Sequence, residues 1–193
     1  MILYGVAGTL NAGKDILSNY LADKYGFLHF STSDMIRAMK RREFGDTPQA
    51  LLLRNDPYIN KLRAERGPGF LVSEVYKEWE SQQDKYPAGV IASAIRAIGE
   101  AEEIHKLGGK IIFVDADPQI RYQRATLRQR DANESGKTFE EFMATERSEI
   151  DVDQNDKSVQ NLTAMKNMAD IVIENNASKI EDFYTKIRKS LGL

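Results

Sequence analysis

At 193 residues, with 41% hydrophobic and 29% charged side chains, the chain has the make-up of one ordinary globular domain, long enough to bury a core. A formal net charge of −2 offers no global attraction to nucleic acid or to an anionic membrane. The absence of cysteine excludes disulfides, thiol catalysis and thiolate metal sites, and two distant histidines, His29 and His105, are too few for a histidine zinc site.

The apolar opening, Met1 to Ala7, is far too short to span a bilayer and lacks a basic leader, so the expected compartment is the cytoplasm, with no membrane partner. Ile2–Ala7 stops at glycine, as a buried parallel strand does. Lys14–Tyr25 reads as a helix with Ile16, Leu17, Tyr20 and Leu21 on one face and Gly26 just past its end. Phe27–Phe30 is a second strand; Ser33 or Asp34 then caps a helix carrying Met35, Ile36 and Met39 as core. Residues 46–85 are polar, mostly helical and punctuated by Pro48, Pro57 and Gly67-Pro68-Gly69.

Gly89–Ser93 resumes the strand pattern, Arg96–Leu107 is helical, Lys110–Asp115 is a strand and Pro118–Arg128 a helix. Gln129–Thr138 has no hydrophobic period and reads as a loop; helical pattern returns from Phe139. Asp170–Glu174 is the last strand, and Ser178–Leu191 a helix with Ile180, Phe183, Ile187 and Leu191 in register. Strands alternating with helices predict an α/β fold of three layers, α/β/α, around a five-stranded parallel sheet. The whole chain forms one domain: a core of 1–45, 86–128 and 153–193, an acceptor-side insertion at 46–85, and a lid at 129–152.

The chemistry concentrates at Gly8-Thr9-Leu10-Asn11-Ala12-Gly13-Lys14-Asp15, a G-x-x-x-x-G-K spacing between the first strand and the first helix. Its glycines let successive N–H groups form a cup for phosphates, and the N-terminus of the following helix, through Ile16, faces the same anion. Lys14 reaches the β- and γ-phosphates. The position after the lysine, usually serine or threonine, is Asp15, a carboxylate suited to magnesium, directly or through water. The alternative is a favourable charge in the first helical turn.

Ser31-Thr32-Ser33-Asp34-Met35-Ile36-Arg37 places an aspartate and an arginine on one helical face. Asp34 is a candidate to orient the acceptor or magnesium waters and to take a proton, and Arg37 to hold an acceptor phosphate; the alternative is a cap and a surface arginine. Arg96 follows the third strand and so points to the same crevice. Arg121, Arg124, Arg128 and Arg130 cluster at the end of the Pro118–Arg128 helix and into the polar loop. Arg124 and Arg128, four apart, are placed to cover the nucleotide base and clamp transferring phosphates. A nucleic-acid role is disfavoured, because aromatic interleaving is absent and Asp131 and Glu134 cancel charge. His29, Tyr76 and Trp79 read as structural.

With these motifs the chain resembles the P-loop nucleoside monophosphate kinase superfamily, which includes the adenylate kinases. Within it, the chain is most similar to small kinases of the deoxynucleoside monophosphate kinase-like and dephospho-CoA kinase-like types. The resemblance covers nearly the whole chain: the loop ending Gly13-Lys14-Asp15, Ser33 to Arg37, Arg66-Gly67-Pro68-Gly69, Ile91 to Arg96, Val114 to Pro118, Thr138 to Phe142 and Ala169 to Ile173. The aspartate after the lysine is similar to phage-type deoxynucleotide kinases and animal phosphomevalonate kinases. The resemblance implies ATP and magnesium at the phosphate loop, a phosphorylated small-molecule acceptor, and Lys14, Asp34 and Arg128 as the catalytic group. The deoxynucleotide kinases carry an aspartate where this chain has Ser93, so Asp15, Asp34 or Asp115 would have to supply a magnesium partner. The expected activity is transfer of the γ-phosphate to a nucleoside or deoxynucleoside monophosphate. The alternatives are a dephospho-CoA kinase-like enzyme and an ATP-binding regulator with little turnover.

Overall fold

The computed structural model describes residues 2–47, 57–128, 138–150, 157 and 160–193. Five strands form one sheet: β1 (Ile2–Gly8), β2 (Leu28–Ser31), β3 (Gly89–Ser93), β4 (Lys110–Asp115) and β5 (Ile171–Glu174). Their order is β2-β3-β1-β4-β5 and every pairing is parallel. Among the described residues the helices are α1 (Lys14–Tyr25), α2 (Thr32–Phe44), α3 (Pro57–Arg66), α4 (Phe70–Glu80), α5 (Ile98–Lys106), α6 (Pro118–Arg128), α7 (Phe139–Ile150), α8 (Leu162–Asn167) and α9 (Ile180–Leu191).

The period of two along each strand sorts side chains to two cores. On one face Leu3, Ala7, Val90, Ala92, Ile111 and Phe113 meet Val72, Val75 and Trp79 of α4, Ile104 of α5 and Met165 of α8. On the other face Tyr4, Val6, Ile91, Ile112, Val114 and Ile173 meet Leu17 and Leu21 of α1 and Phe183 and Ile187 of α9. The interiors of β1, β3 and β4 are therefore buried on both sides, which explains their unbroken apolar runs, while the edge strands β2 and β5 are only partly covered. The helix α4 belongs to the layer covering the sheet, while Ile36, Ile59, Phe70 and Leu71 join α2, α3 and α4 in a smaller core.

Several boundaries differ from the sequence expectation, each for a local reason. The cap of α2 is Ser31, whose Oγ accepts the Asp34 N–H at 3.3 Å, so Ser33 and Asp34 lie inside the first turn. Phe27 precedes β2 and packs its ring 5.7 Å from that of Tyr4. Helix α5 starts at Ile98, because the Glu100 carboxylate takes the N–H groups of Arg96 (2.7 Å) and Ala97 (3.0 Å) and holds both outside the helix. Met35 and Met39 are only partly buried. Ile180 stays 41% exposed, leaving Phe183 and Ile187 as the buried stripe of α9. Trp79 is structural as expected, its indole N–H donating to the Tyr86 carbonyl at 3.0 Å. No helix among the described residues is long and apolar enough to cross a membrane.

Candidate active site

The carboxyl ends of β1, β3 and β4 converge on the phosphate loop, the crevice expected of an open parallel sheet. The loop's shape depends on its glycines. A Cβ on Gly8, at φ 154°, would lie 2.2 Å from the Val114 carbonyl oxygen; one on Gly13, at φ 106°, would lie 2.6 Å from Nδ2 of Asn175. Gly13 sits at the N-terminus of α1, so the orphan N–H groups of that helix open onto the loop.

Three tethers hold the loop from outside. The Thr9 hydroxyl donates to Oδ1 of Asp115 at 2.9 Å. Asn175, 3% exposed, donates from Nδ2 to the Ala12 carbonyl at 2.7 Å. Arg124 donates from Nη2 to the carbonyls of Asn175 (2.9 Å) and Ala177 (3.3 Å), while Nη1 lies 3.5 Å from those of Asn11 and Ala12. Among the described residues one buried side-chain donor in the loop goes unused: Nδ2 of Asn11 has no hydrogen-bond partner.

Two clefts meet here. One, of about 210 Å³, is bordered by Asn11, Gly13, Ile16, Arg124, Asn175 and Phe183, between the loop and the β5–α9 connection. The other, of about 540 Å³, is bordered by Asn11, Lys14, Asp15, His29, Asp34, Arg37, Ser93 and Arg96. Lys14, Asp15, Asp34, Arg37 and Arg96, singled out from sequence, thus share one cleft, and Gly13, Ile16 and Arg124 share the neighbouring one. Gly8 and Ala12 shape the loop between them.

Within the larger cleft Arg37 donates to Oδ1 of Asp34 at 2.5 Å, on a rim where Asp34 is 72% exposed. Such an exposed pair is weak, so the arginine can exchange its partner for an incoming anion. His29 has the hydrogen-bond partner expected of a structural histidine. It borders the cleft, and its Nε2 lies 2.8 Å from Oγ of Ser93. Burial holds its imidazole below the ordinary histidine range, against the opposing pull of Asp15, Asp34 and Asp23. Ser93 is 1% exposed and is followed by Ala94 at φ 61°, whose carbonyl accepts the Thr32 hydroxyl at 3.0 Å.

Asp115 does not border this cleft. Its Oδ1 is taken by Thr9 and the Ala116 N–H (2.9 Å), and its Oδ2 by Lys166 at 2.7 Å. Asp15 and Asp34 are the two carboxylates that border this cleft together with Lys14. No group of three or more histidines, cysteines or carboxylates suited to a metal occurs among the described residues. Magnesium at a nucleotide site needs only one or two carboxylates beside phosphate oxygens and water, so the oxygen donors of Asp15 and Asp34 fit it.

Arg121 parts company with the other arginines of its cluster. It is 3% exposed, and its guanidinium is paired with Glu146 of α7, Nη2 to Oε2 at 2.9 Å, and with the Ala116 carbonyl at 2.8 Å. The side chain of Arg128, and Arg130, lie outside the described residues, as do 129–137 and 151–152 of the expected lid; the rest of it is Thr138 and α7. Sequence reading missed Asn175 and Lys166. For Asn175 a signal existed: it directly follows β5, and residues just beyond parallel strands face the crevice.

No protein-family profile matches the chain. Among curated proteins it is 36% identical over 110 residues to an adenylate kinase of Anaeromyxobacter sp., with 51% of this chain and 49% of that one covered. It is 31% identical over 148 residues to an adenylate kinase of Francisella philomiragia, covering 72% of this chain and 61% of that one. The chain therefore spans about half of the first relative and 61% of the second. Among solved structures, the shikimate kinase of Bacteroides thetaiotaomicron shares the fold, with a TM-score of 0.56 at 14% identity over 100% of this chain and 99% of that one. Sheet, loop and neighbours define a P-loop kinase fold. In sequence the chain is similar to adenylate kinases over the matched stretches, and in fold to P-loop kinases, a likeness that supports a P-loop nucleoside monophosphate kinase-like family.

Proposed function

We propose that the protein is an ATP-dependent phosphotransferase whose acceptor is a nucleoside or deoxynucleoside monophosphate. The observation carrying this reading is the junction of two clefts at one phosphate loop, the smaller under Arg124 and the larger bordered by Lys14, Asp15, Asp34, Arg37 and Arg96. The two adenylate kinase relatives support the nucleotide as acceptor.

Magnesium, when bound, neutralises charge across the β- and γ-phosphates. Asp15 and Asp34 are the residues that would hold it. The loop amides from Gly8 to Gly13 cradle the phosphates, and Lys14 follows the γ-phosphoryl group as charge spreads over its oxygens. Arg124 covers the nucleotide base, with Arg128 as its partner four residues on. Arg37 releases Asp34 to grip the acceptor phosphate together with Arg96, and Asp34 orients the attacking oxygen. An acceptor that is already a phosphate needs no strong base, so positioning and charge neutralisation supply most of the rate.

A second reading rests on the His29–Ser93 pair in the larger cleft. Hydroxyl and imidazole groups there suit a hydroxyl-bearing acceptor, as in a dephospho-CoA kinase-like enzyme, with Asp34 as base. A third follows from Ser93 standing where related kinases carry a carboxylate: ATP binding with little turnover, as in a regulator.

The test is ADP release from MgATP across nucleoside and deoxynucleoside monophosphates, with dephospho-CoA and phosphomevalonate in the panel. Turnover on one nucleotide class supports the reading. Turnover on an alcohol acceptor, with an acid limb in its pH–rate profile, replaces it with the second. ATP binding without any turnover replaces it with the third.

A further inference from the structure

Asn11 occupies a costly conformation and leaves a costly group unused. Its φ of 57° is left-handed, a region where glycine carries no penalty and an L side chain does. Asparagine tolerates such a turn best when its side chain bonds the local backbone. Here Nδ2 is buried and bonds nothing, while the side chains that tether the loop are others: Thr9, Asn175 and Arg124. Loop shape therefore accounts for the backbone of Asn11 and leaves its carboxamide unexplained.

Position supplies the explanation. Asn11 borders both clefts, the one under Arg124 and the one that holds Lys14, Arg37 and Arg96. A group at that junction stands where a phosphoryl group passes from donor to acceptor. A buried N–H without a partner is favourable only once an acceptor oxygen arrives, and phosphoryl oxygens are the acceptors this loop is shaped to receive. We propose that the Asn11 carboxamide is a donor to the terminal phosphoryl group of a bound nucleoside triphosphate, so that the loop distinguishes triphosphate from diphosphate by a neutral side chain as well as by Lys14. The proposal rests on the kinase reading above and assigns within it a role that the loop's glycines and lysine do not fill. As the bond from the γ-phosphorus to the acceptor oxygen forms, the bond to the β-bridging oxygen breaks and ADP leaves with its electron pair; the amide keeps its proton throughout.

The test is calorimetric titration with magnesium ADP and with the non-hydrolysable triphosphate analogue AMP-PNP. Asn11→Gly removes the amide and suits the left-handed backbone, so its thermal midpoint should equal or exceed that of the unsubstituted protein. Its affinity for ADP should stay within about twofold, while that for AMP-PNP should fall about tenfold, the worth of one hydrogen bond to a charged oxygen. Asn11→Asp, nearly isosteric but without the donor, should lose more for AMP-PNP than for ADP. Equal affinities in Asn11→Gly and the unsubstituted protein would overturn the proposal. An equal loss for both ligands would also overturn it, by assigning the side chain to loop shape. Failure of the unsubstituted protein to bind either nucleotide would overturn the kinase reading and the proposal with it.

Discussion

Lys14 carries the one positive charge set by the loop itself, at the start of α1 and 9% exposed. In the proposed kinase, its loss would remove a charged donor from the transferring group without opening the hydrophobic core. Lys14→Ala should therefore lower ADP release by about two to three orders of magnitude while leaving the circular dichroism spectrum unchanged. Asp115 answers a different question, that of pH. Burial opposes its ionisation, but Lys166 and the Thr9 hydroxyl outweigh that effect and hold its carboxyl below the usual aspartate range. A carboxylate with a lowered folded-state pKa adds stability that is complete above the ordinary range and is lost as pH falls through the folded value. Urea midpoints should thus drop as pH falls below about 4, and Asp115→Asn should flatten that limb while being less stable near about pH 7. An unchanged acid limb in the variant would remove Asp115 from the account.

Elements are joined here by two buried ion pairs that local pattern could not announce. Arg63 of α3 meets Glu100 of α5 at 2.9 Å with side chains 4% and 1% exposed, and Arg121 of α6 meets Glu146 of α7 with side chains 4% and 5% exposed. Removing one member of such a pair strands the other charge out of water, at a cost of about 3–5 kcal/mol. Arg63→Met should lower stability by that amount in urea unfolding. The double variant Arg63→Met with Glu100→Leu should recover part of the loss, though not all, because Glu100 also caps α5 through the N–H groups of Arg96 and Ala97. The same pairs mark where sequence reading stopped. Arg121 and Arg124 look alike in sequence, both in a basic helix end. Only the partner on α7, across an unrelated stretch of chain, makes the first structural while the second covers the loop. His29 read as structural because a strand's period tells which face it takes, not that the carboxyl end of that face opens into a cleft. By contrast the phosphate loop, Asp34, Arg37 and Arg96 were legible, since the rule that ligands bind beyond parallel strand ends turns chain position into spatial position.

At the scale of the molecule, the strands could be read from apolar runs and their parallel pairing from the helices between them, whereas the order β2-β3-β1-β4-β5 belongs to the contacts alone. That order puts β1 at the centre, between β3 and β4, so the loop that follows it is flanked on both sides. Ser93 and Arg96 come from the β3 side, Asp115 from β4, and Asn175 from beyond β5. Both cores also approach this loop, one through Ala7 near the end of β1 and the other through Ala12 within the loop. A ligand in the loop therefore bears on every layer of the fold, and its binding energy should appear as resistance to unfolding of the whole chain. At about one hundred times its dissociation constant a nucleotide adds about 2.7 kcal/mol. For a domain of this length that corresponds to a rise in thermal midpoint of about 5–10 °C. Magnesium ADP should produce such a rise by scanning calorimetry, in a single transition. Two transitions, with only one of them moved by the nucleotide, would mean that the two sides of the sheet unfold apart and that the loop does not couple them.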